Sequence, residues 1–177
     1  MSAADPFDHK SSVEHVRTYF DVLGEGEWDR LGADPVGRVS LEVHRRFIGR
    51  FIEPGMPVLE VGAGPGRFTI LLAKMGARIV VTDLSEVQLD VNARHVAEAG
   101  HESSVEFRAV VDVCDVSHFA DGEFDAVLAF GGPLSYAFDQ AGAALRGLLR
   151  IRRTGGPVVA SVMSTLGAYR HDVPGCL

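Results

Sequence analysis

Residues 58–68 read VLEVGAGPGRF, an apolar run that passes through Glu60 and breaks into three glycines at 62, 64 and 66. A turn stripped of side chains lets backbone N–H groups and a helix N-terminus come close to a ligand, which is how nucleotides and nucleosides are held. Asp83 closes the next apolar run, RIVVTD, twenty-one positions after Gly62. That is a suitable reach for a carboxylate accepting hydrogen bonds from two ribose hydroxyls. Asp112 ends the run VEFRAVVD, and Phe130-Gly131-Gly132-Pro133 ends FDAVLAFGG. Taken singly, Asp83 reads equally as the turn residue before a helix cap and Asp112 as a solvated acid. Four successive runs ending on ligand-competent groups make the joint placement informative. The glycines are spaced GxGxG, whereas the dinucleotide fingerprint is GxGxxG and would have glycine where Arg67 stands. No Walker lysine follows either, so the loop suits a nucleoside ligand without a pyrophosphate.

The elements that must position these residues follow from periodicity. SSVEHVRTYFDVLG spaces Val13, Val16, Phe20 and Leu23 for one helical face, with Ser11 and Glu14 at capping-box spacing. Asp34-Pro35 predicts the start of a second helix carrying Val39, Val43, Phe47 and Phe51 along one face, and GEGEWDRLGAD between the two reads as a loop or short turn. After Gly55 short Val-, Ile- and Phe-rich runs alternate with helical stretches. Phe68, Leu71, Leu72 and Met75 mark one connecting helix, Ser85 with Gln88 caps another, and Ala141, Leu145, Leu148 and Leu149 mark a third. This alternation predicts an α/β fold, a Rossmann-like three-layer sandwich. Its five-stranded, mostly parallel sheet is expected to carry helices on both faces, with two N-terminal helices ahead of it. Ligands of such sheets bind beyond the carboxyl ends of the strands, where strand order reverses.

With 177 residues, 46% of them hydrophobic, the chain is expected to form a single domain. Within it residues 1–54 form an N-terminal helical segment, 55–166 the ligand-binding core and 167–177 a tail. A net charge of -7 disfavours nucleic acid as a partner. Two cysteines, Cys114 and Cys176, make neither a disulfide framework nor a zinc motif. With no signal-like or membrane-spanning run, the expectation is a cytoplasmic protein with no membrane partner.

VLEVGAGPGRFTILLAKMGARIVVTDLS, VVDVCD and DGEFDAVLAFGGPLSY, in this order and spacing, resemble motifs of the class I S-adenosylmethionine-dependent methyltransferases. The resemblance covers roughly residues 13–166. It implies a sheet of order 3-2-1-4-5, S-adenosyl-L-methionine as cofactor, S-adenosyl-L-homocysteine as product and a small-molecule substrate. By the same resemblance Gly62, Ala63, Gly64 and Gly66 would line the methionine part, with Glu60 bracing the loop or the amino group. Asp83 would hold the ribose and Leu84 the adenine. Asp112 and Val113 would meet the adenine amine and ring, and Phe130 and Gly131 would lie near the transferable methyl. The leading helices would form a lid bringing Tyr19, Trp28 and Arg30 to the ligand. On its own, Trp28 reads equally as a binding aromatic or as a plug in a helix–sheet contact.

Attack on an activated sulfonium methyl needs alignment and exclusion of water more than a strong acid, so no triad or metal site is required. His15, Tyr19, His118 and Tyr136 are the candidate bases, and none is assigned as catalytic. The family sheet normally has seven strands, whereas this sequence ends soon after PVVASVMSTLG. Strand five is therefore expected to be an apolar edge that calls for a cover: a second copy in a homodimer, a partner, or the tail. Two functions stay open, a small-molecule methyltransferase and a non-catalytic subunit or remnant that binds S-adenosylmethionine or its product.

Overall fold

The five apolar runs form strands β1 (Pro57–Val61), β2 (Arg78–Asp83), β3 (Val105–Val110), β4 (Ala126–Ala129) and β5 (Val158–Ala160). The structure is a computed structural model that describes residues 9–30, 32 and 34–164. Every strand pairing is parallel, and the order is β3-β2-β1-β4-β5. Alternate residues feed opposite faces. Val58, Ile79, Val81, Ala126, Leu128 and Val159 join one buried cluster, while Leu59, Val61, Val80, Val127 and Ala129 join another. Both faces are covered, which is why the strands read as continuous apolar runs and not as alternating ones.

The helices are α1 (His9–Leu23), α2 (Gly26–Arg30), α3 (Pro35–Ile48), α4 (Arg67–Lys74), α5 (Glu86–Glu98), α6 (Pro133–Tyr136) and α7 (Ala141–Ile151). Ile48, Leu72 and Leu89 place α3, α4 and α5 on the first face; Leu134 and Leu148 place α6 and α7 on the second. The sandwich and strand order expected from sequence are present. Residues 111–125, between β3 and β4, contain no α-helix.

Local signals succeed where the partner lies nearby in sequence. Asp34 Oδ1 accepts from the Gly37 N–H at 2.6 Å with Pro35 opening α3. Ser85 Oγ accepts from the Gln88 N–H at 3.0 Å. The reciprocal half of that capping box is absent: the Ser85 N–H donates to Asp83, and the Gln88 side chain reaches α1.

Three expectations need correction. Ser11 does not cap α1, because the helix already runs from His9; Glu14 pairs instead with Arg17 at 2.6 Å. The stretch read as a loop or short turn contains α2, and the N-terminal segment therefore holds three helices. On α3 the stripe Val39, Val43 and Phe47 is 43–64% exposed, and the sheet takes the face that carries Gly37, Leu41, His44 and Ile48. At ~100° per residue the two stripes lie about a third of a turn apart. The sequence makes both apolar, and only packing chooses between them.

β5 pairs with β4 alone among the described strands, as expected of an edge, and Val162 and Met163 beyond it are exposed. The stretch 167–177 read as a tail lies outside the described residues.

Candidate functional site

The carboxyl ends of the strands open into one cleft under α1 and α2. Gly62, Gly64, Asp83, Leu84, Asp112, Val113, Phe130 and Gly131 all line it. Ala63 lines a smaller pocket that adjoins the cleft and shares Glu27, Gly62, Gly64, Phe130 and Gly131 with it, and neither Glu60 nor Gly66 lines either space. Gly62 has φ 65°, and a Cβ there would sit 3.0 Å from the Pro133 side chain, so β4's tip presses directly on the loop.

Asp83 organises the site. Its Oδ2 accepts from the Gly64 N–H at 2.8 Å and its Oδ1 from the Ser85 N–H at 2.9 Å, so one carboxylate joins the glycine loop to the start of α5. The Leu84 N–H bonds the same carboxylate, so three backbone donors hold it and part of its acceptor capacity is left for a ligand. Burial pushes Asp83 up to about 6 against the pull of these N–H groups, and Glu27 nearby adds to the rise. At the next strand end Asp112 Oδ1 accepts from the Cys114 N–H at 2.8 Å. Burial, with Asp112 alongside, pushes the Cys114 thiol up to about 12, so it stays a thiol and is not an activated nucleophile.

Glu60 sits behind the loop at 1% exposure. Thr69 Oγ1 donates to its Oε2 at 2.6 Å, and Asn92 Nδ2 donates to Thr69 at 2.8 Å and to the Gly64 carbonyl at 3.3 Å. Arg108 completes the chain by donating to Asn92 Oδ1 at 3.0 Å and to both Glu102 oxygens. Burial raises Glu60 to about 8, which keeps it protonated at neutral pH. It acts on the loop from below, through α4 and α5.

Val13, Val16 and Phe20 of α1 and Glu27 of α2 complete the cleft. Phe20 stands edge-on to Tyr136 at 5.5 Å between ring centres, linking α1 to α6 across it. Of the candidate bases Tyr136 lines the cleft; His15, Tyr19 and His118 are exposed and do not. Trp28 turns away as well: its ring lies under the Arg67 guanidinium at 4.0 Å and beside His95 at 3.9 Å. Trp28 thus packs on α4 and α5, neither a binding aromatic in the cleft nor a plug between helix and sheet, and its neighbour Glu27 lines the cleft. The Arg30 side chain lies outside the described residues.

α1 is fastened to α5 by polar contacts. Gln88 Nε2 donates to the carbonyls of Phe20 at 3.0 Å and Gly24 at 2.9 Å, and Ser85 Oγ donates to Asp21 at 2.5 Å. Gln88→Ala removes the side-chain donor from two carbonyls at the end of α1, which keep only their backbone donors, and is expected to cost about 1–2 kcal/mol. Urea unfolding measures that loss, and hydrogen exchange should quicken in α1; unchanged exchange there would show that Gln88 does not hold the helix.

Among the described residues no helix is long and apolar enough to cross a membrane, and no group of three or more His, Cys, Asp or Glu could hold a metal ion.

Comparison with known proteins gives this geometry its family. Residues 58–156 match the family described as "Methyltransferase domain", so the chain belongs to that methyltransferase family. Among the curated relatives, the demethylmenaquinone methyltransferase of Mycobacterium marinum is 39% identical over 162 residues, covering 91% of this chain and 62% of that protein. Two solved structures share the fold at 18–19% identity. Phosphoethanolamine N-methyltransferase 1 of Haemonchus contortus, in complex with phosphoethanolamine and S-adenosylhomocysteine, has TM-score 0.73, covering 93% of this chain and 35% of that one. The [4+2]-cyclase SpnF has TM-score 0.67, covering 80% and 56%. The chain spans 46–62% of the length of the curated relatives matched first. S-adenosylmethionine is the cofactor that this class I fold serves, with S-adenosylhomocysteine as its product.

Proposed function

We propose that the chain binds S-adenosylmethionine in the cleft and supports transfer of its methyl group, in line, to a small-molecule acceptor in the cytoplasm. The observation that carries this is Asp83: one carboxylate, buried at the second strand end and lining the cleft, is fixed by backbone N–H groups of Gly64, Leu84 and Ser85. In this reading Asp83 takes the ribose hydroxyls and Leu84, Asp112 and Val113 the adenine. Gly62, Ala63, Gly64 and Gly66 pass the methionine part, which Glu60 braces from behind. Phe130 and Gly131 flank the methyl. The unit is a single domain in which residues before 55 act as the lid and 55–166 as the core.

The chain itself supplies shape and exclusion of water more than proton transfer. Phe20, Val13 and Val16 close an apolar wall over the cleft, and Tyr136 is the hydroxyl within it. A small molecule suits the acidic chain better than nucleic acid. The named function of the Mycobacterium marinum relative points the same way.

A second reading has its own support. The fold also occurs in a protein named as a cyclase, so sheet order alone does not fix the reaction. The unpartnered edge of β5 fits a subunit that binds the nucleoside and leaves turnover to a partner or a second copy. Two measurements separate the readings. Isothermal titration with S-adenosylmethionine, S-adenosylhomocysteine and NAD should show binding of the first two only; binding of neither sinks both. Incubation with methyl-labelled cofactor and a metabolite extract should then give a labelled product, and a chain that binds but never transfers the label is the non-catalytic subunit.

A further inference from the structure

We propose that Asn92, oriented by Arg108, is the positioning residue that sets the glycine loop for the methionine part of the ligand. The inference rests on the reading of the cleft as an S-adenosylmethionine site. Gly64 is held at both of its backbone polar groups. Its N–H donates to Asp83 Oδ2 at 2.8 Å, and its carbonyl accepts from Asn92 Nδ2 at 3.3 Å. The loop is thereby fixed against two separate elements, the end of β2 and the middle of α5.

The third glycine makes room for this contact. Gly66 does not line the cleft, and its φ is 100°. A Cβ there would stand 3.2 Å from Asn92 Nδ2 and 3.3 Å from Asn92 Cγ. At its last position the GxGxG spacing serves the residue behind the loop, not the ligand in front of it.

The direction of the Asn92 amide is imposed from outside. A carboxamide has one accepting end and one donating end, and its partners decide which end meets the loop. A guanidinium only donates. Arg108 Nε meets Asn92 Oδ1 at 3.0 Å, so the NH2 end faces Thr69 Oγ1 at 2.8 Å and the Gly64 carbonyl. Thr69 in turn donates to Glu60 Oε2 at 2.6 Å, and every donor in the chain points the same way, inward from Arg108. Asn92 and Thr69 are fully buried, so no water replaces a lost partner. Both Glu102 oxygens grip Arg108, at 2.6 and 2.9 Å. A side chain of β3 thus reaches the loop through one amide, and neither Arg108 nor Asn92 lines the cleft.

This arrangement divides the ligand. Asp83 keeps its Leu84 and Ser85 N–H donors whatever Asn92 does, so the ribose and adenine end stands without it. The segment from Gly62 to Gly66, which passes the methionine part, depends on Asn92.

The test is titration of wild type, Asn92→Asp, Arg108→Met and Arg108→Lys with two ligands, with circular dichroism to check folding. One ligand is S-adenosylmethionine; the other is 5′-methylthioadenosine, which keeps adenine, ribose and sulfur but lacks the amino-acid part. Asn92→Asp retains the shape and the Arg108 bond but turns an acceptor toward the Gly64 carbonyl. It should weaken S-adenosylmethionine about tenfold and the truncated nucleoside by less than about twofold. Arg108→Met, altered away from the loop, should weaken S-adenosylmethionine about threefold and carries the same test should Asn92→Asp fail to fold. Arg108→Lys, still a donor, should recover part of that loss. Equal weakening of both ligands would show a merely structural role and, like no change in either, would overturn the proposal. Hydrogen exchange reads the loop without any ligand. The Gly64 and Gly66 amides, which bond Asp83 and the Ala63 carbonyl, should exchange faster in Asn92→Asp and Arg108→Met while β1 stays protected. Unchanged exchange there would also overturn the proposal. Wild-type protein that binds neither nucleoside would refute the cofactor reading itself, a different result, and exchange at the loop would still decide the role of Asn92.

Discussion

Asp83→Ala should weaken binding of S-adenosylmethionine by about ten- to a hundredfold, the size expected when hydrogen bonds to a buried charged acceptor are lost. The effect has two sources. The ligand loses its acceptor, and the Gly64 and Ser85 N–H groups lose the oxygen that joins them, so the glycine loop and the start of α5 come apart. Asp83→Asn separates the sources: it keeps the volume but turns an NH2 toward one of those N–H donors, and should fall between wild type and alanine. Wild-type affinity should also decline as pH falls through about 6, where Asp83 takes up a proton and gives up acceptor capacity. Titration at pH 5 to 8 reads both effects. Affinity unchanged in the alanine variant would remove Asp83 from the site.

The second large effect concerns Glu60 and stability in the absence of ligand. Its folded value of about 8 lies above the ordinary 4.5, and that of Asp83, about 6, above 3.8. Between the unfolded and folded values the native state holds a proton that the unfolded chain has released. Each group's contribution is thus intact below its unfolded value and is lost as pH rises toward the folded one. Glu60→Gln copies the shape of the protonated acid, can still accept from Thr69, and has no proton to lose. The variant and wild type should therefore keep a constant offset only below the unfolded value of 4.5. The variant should then gain by on the order of 5–10 °C in Tm as pH rises to 8. Parallel melting curves from pH 5 to 9 would show that Glu60 is not held protonated.

What could be read from the residues in advance depended on how local the determining contact is. Asp34 and Ser85 declare their helix starts because each side chain meets an N–H three residues on. Parallel pairing was legible because most apolar runs are followed by a helical crossover, and the strand order came with the family resemblance. Of the residues that line the cleft, the rule that parallel sheets bind at their carboxyl ends pointed to Gly62, Gly64, Asp83, Asp112, Phe130 and Gly131, and the family resemblance added Leu84 and Val113. The face of α3 was not legible, since Val39, Val43 and Phe47 make the more apolar stripe and the choice belongs to packing such as His44 against Phe68 and Phe130. Nor was Gln88's partner, which lies 64 and 68 positions away. Glu27 escaped notice for a related reason. Trp28 beside it was the more conspicuous side chain, and a five-residue helix offers no periodicity to say which neighbour points inward.

Trp28 is the chain's single tryptophan. It is clasped between Arg67 and His95 at the seam where α2 meets the core. Its emission is therefore an optical probe already installed at that seam, silent about the rest of the molecule. Any opening of α2 to admit a ligand must part the indole from the guanidinium and imidazole and change its intensity and wavelength. Stopped-flow mixing with unlabelled nucleoside can follow that event directly, with no dye and no substitution.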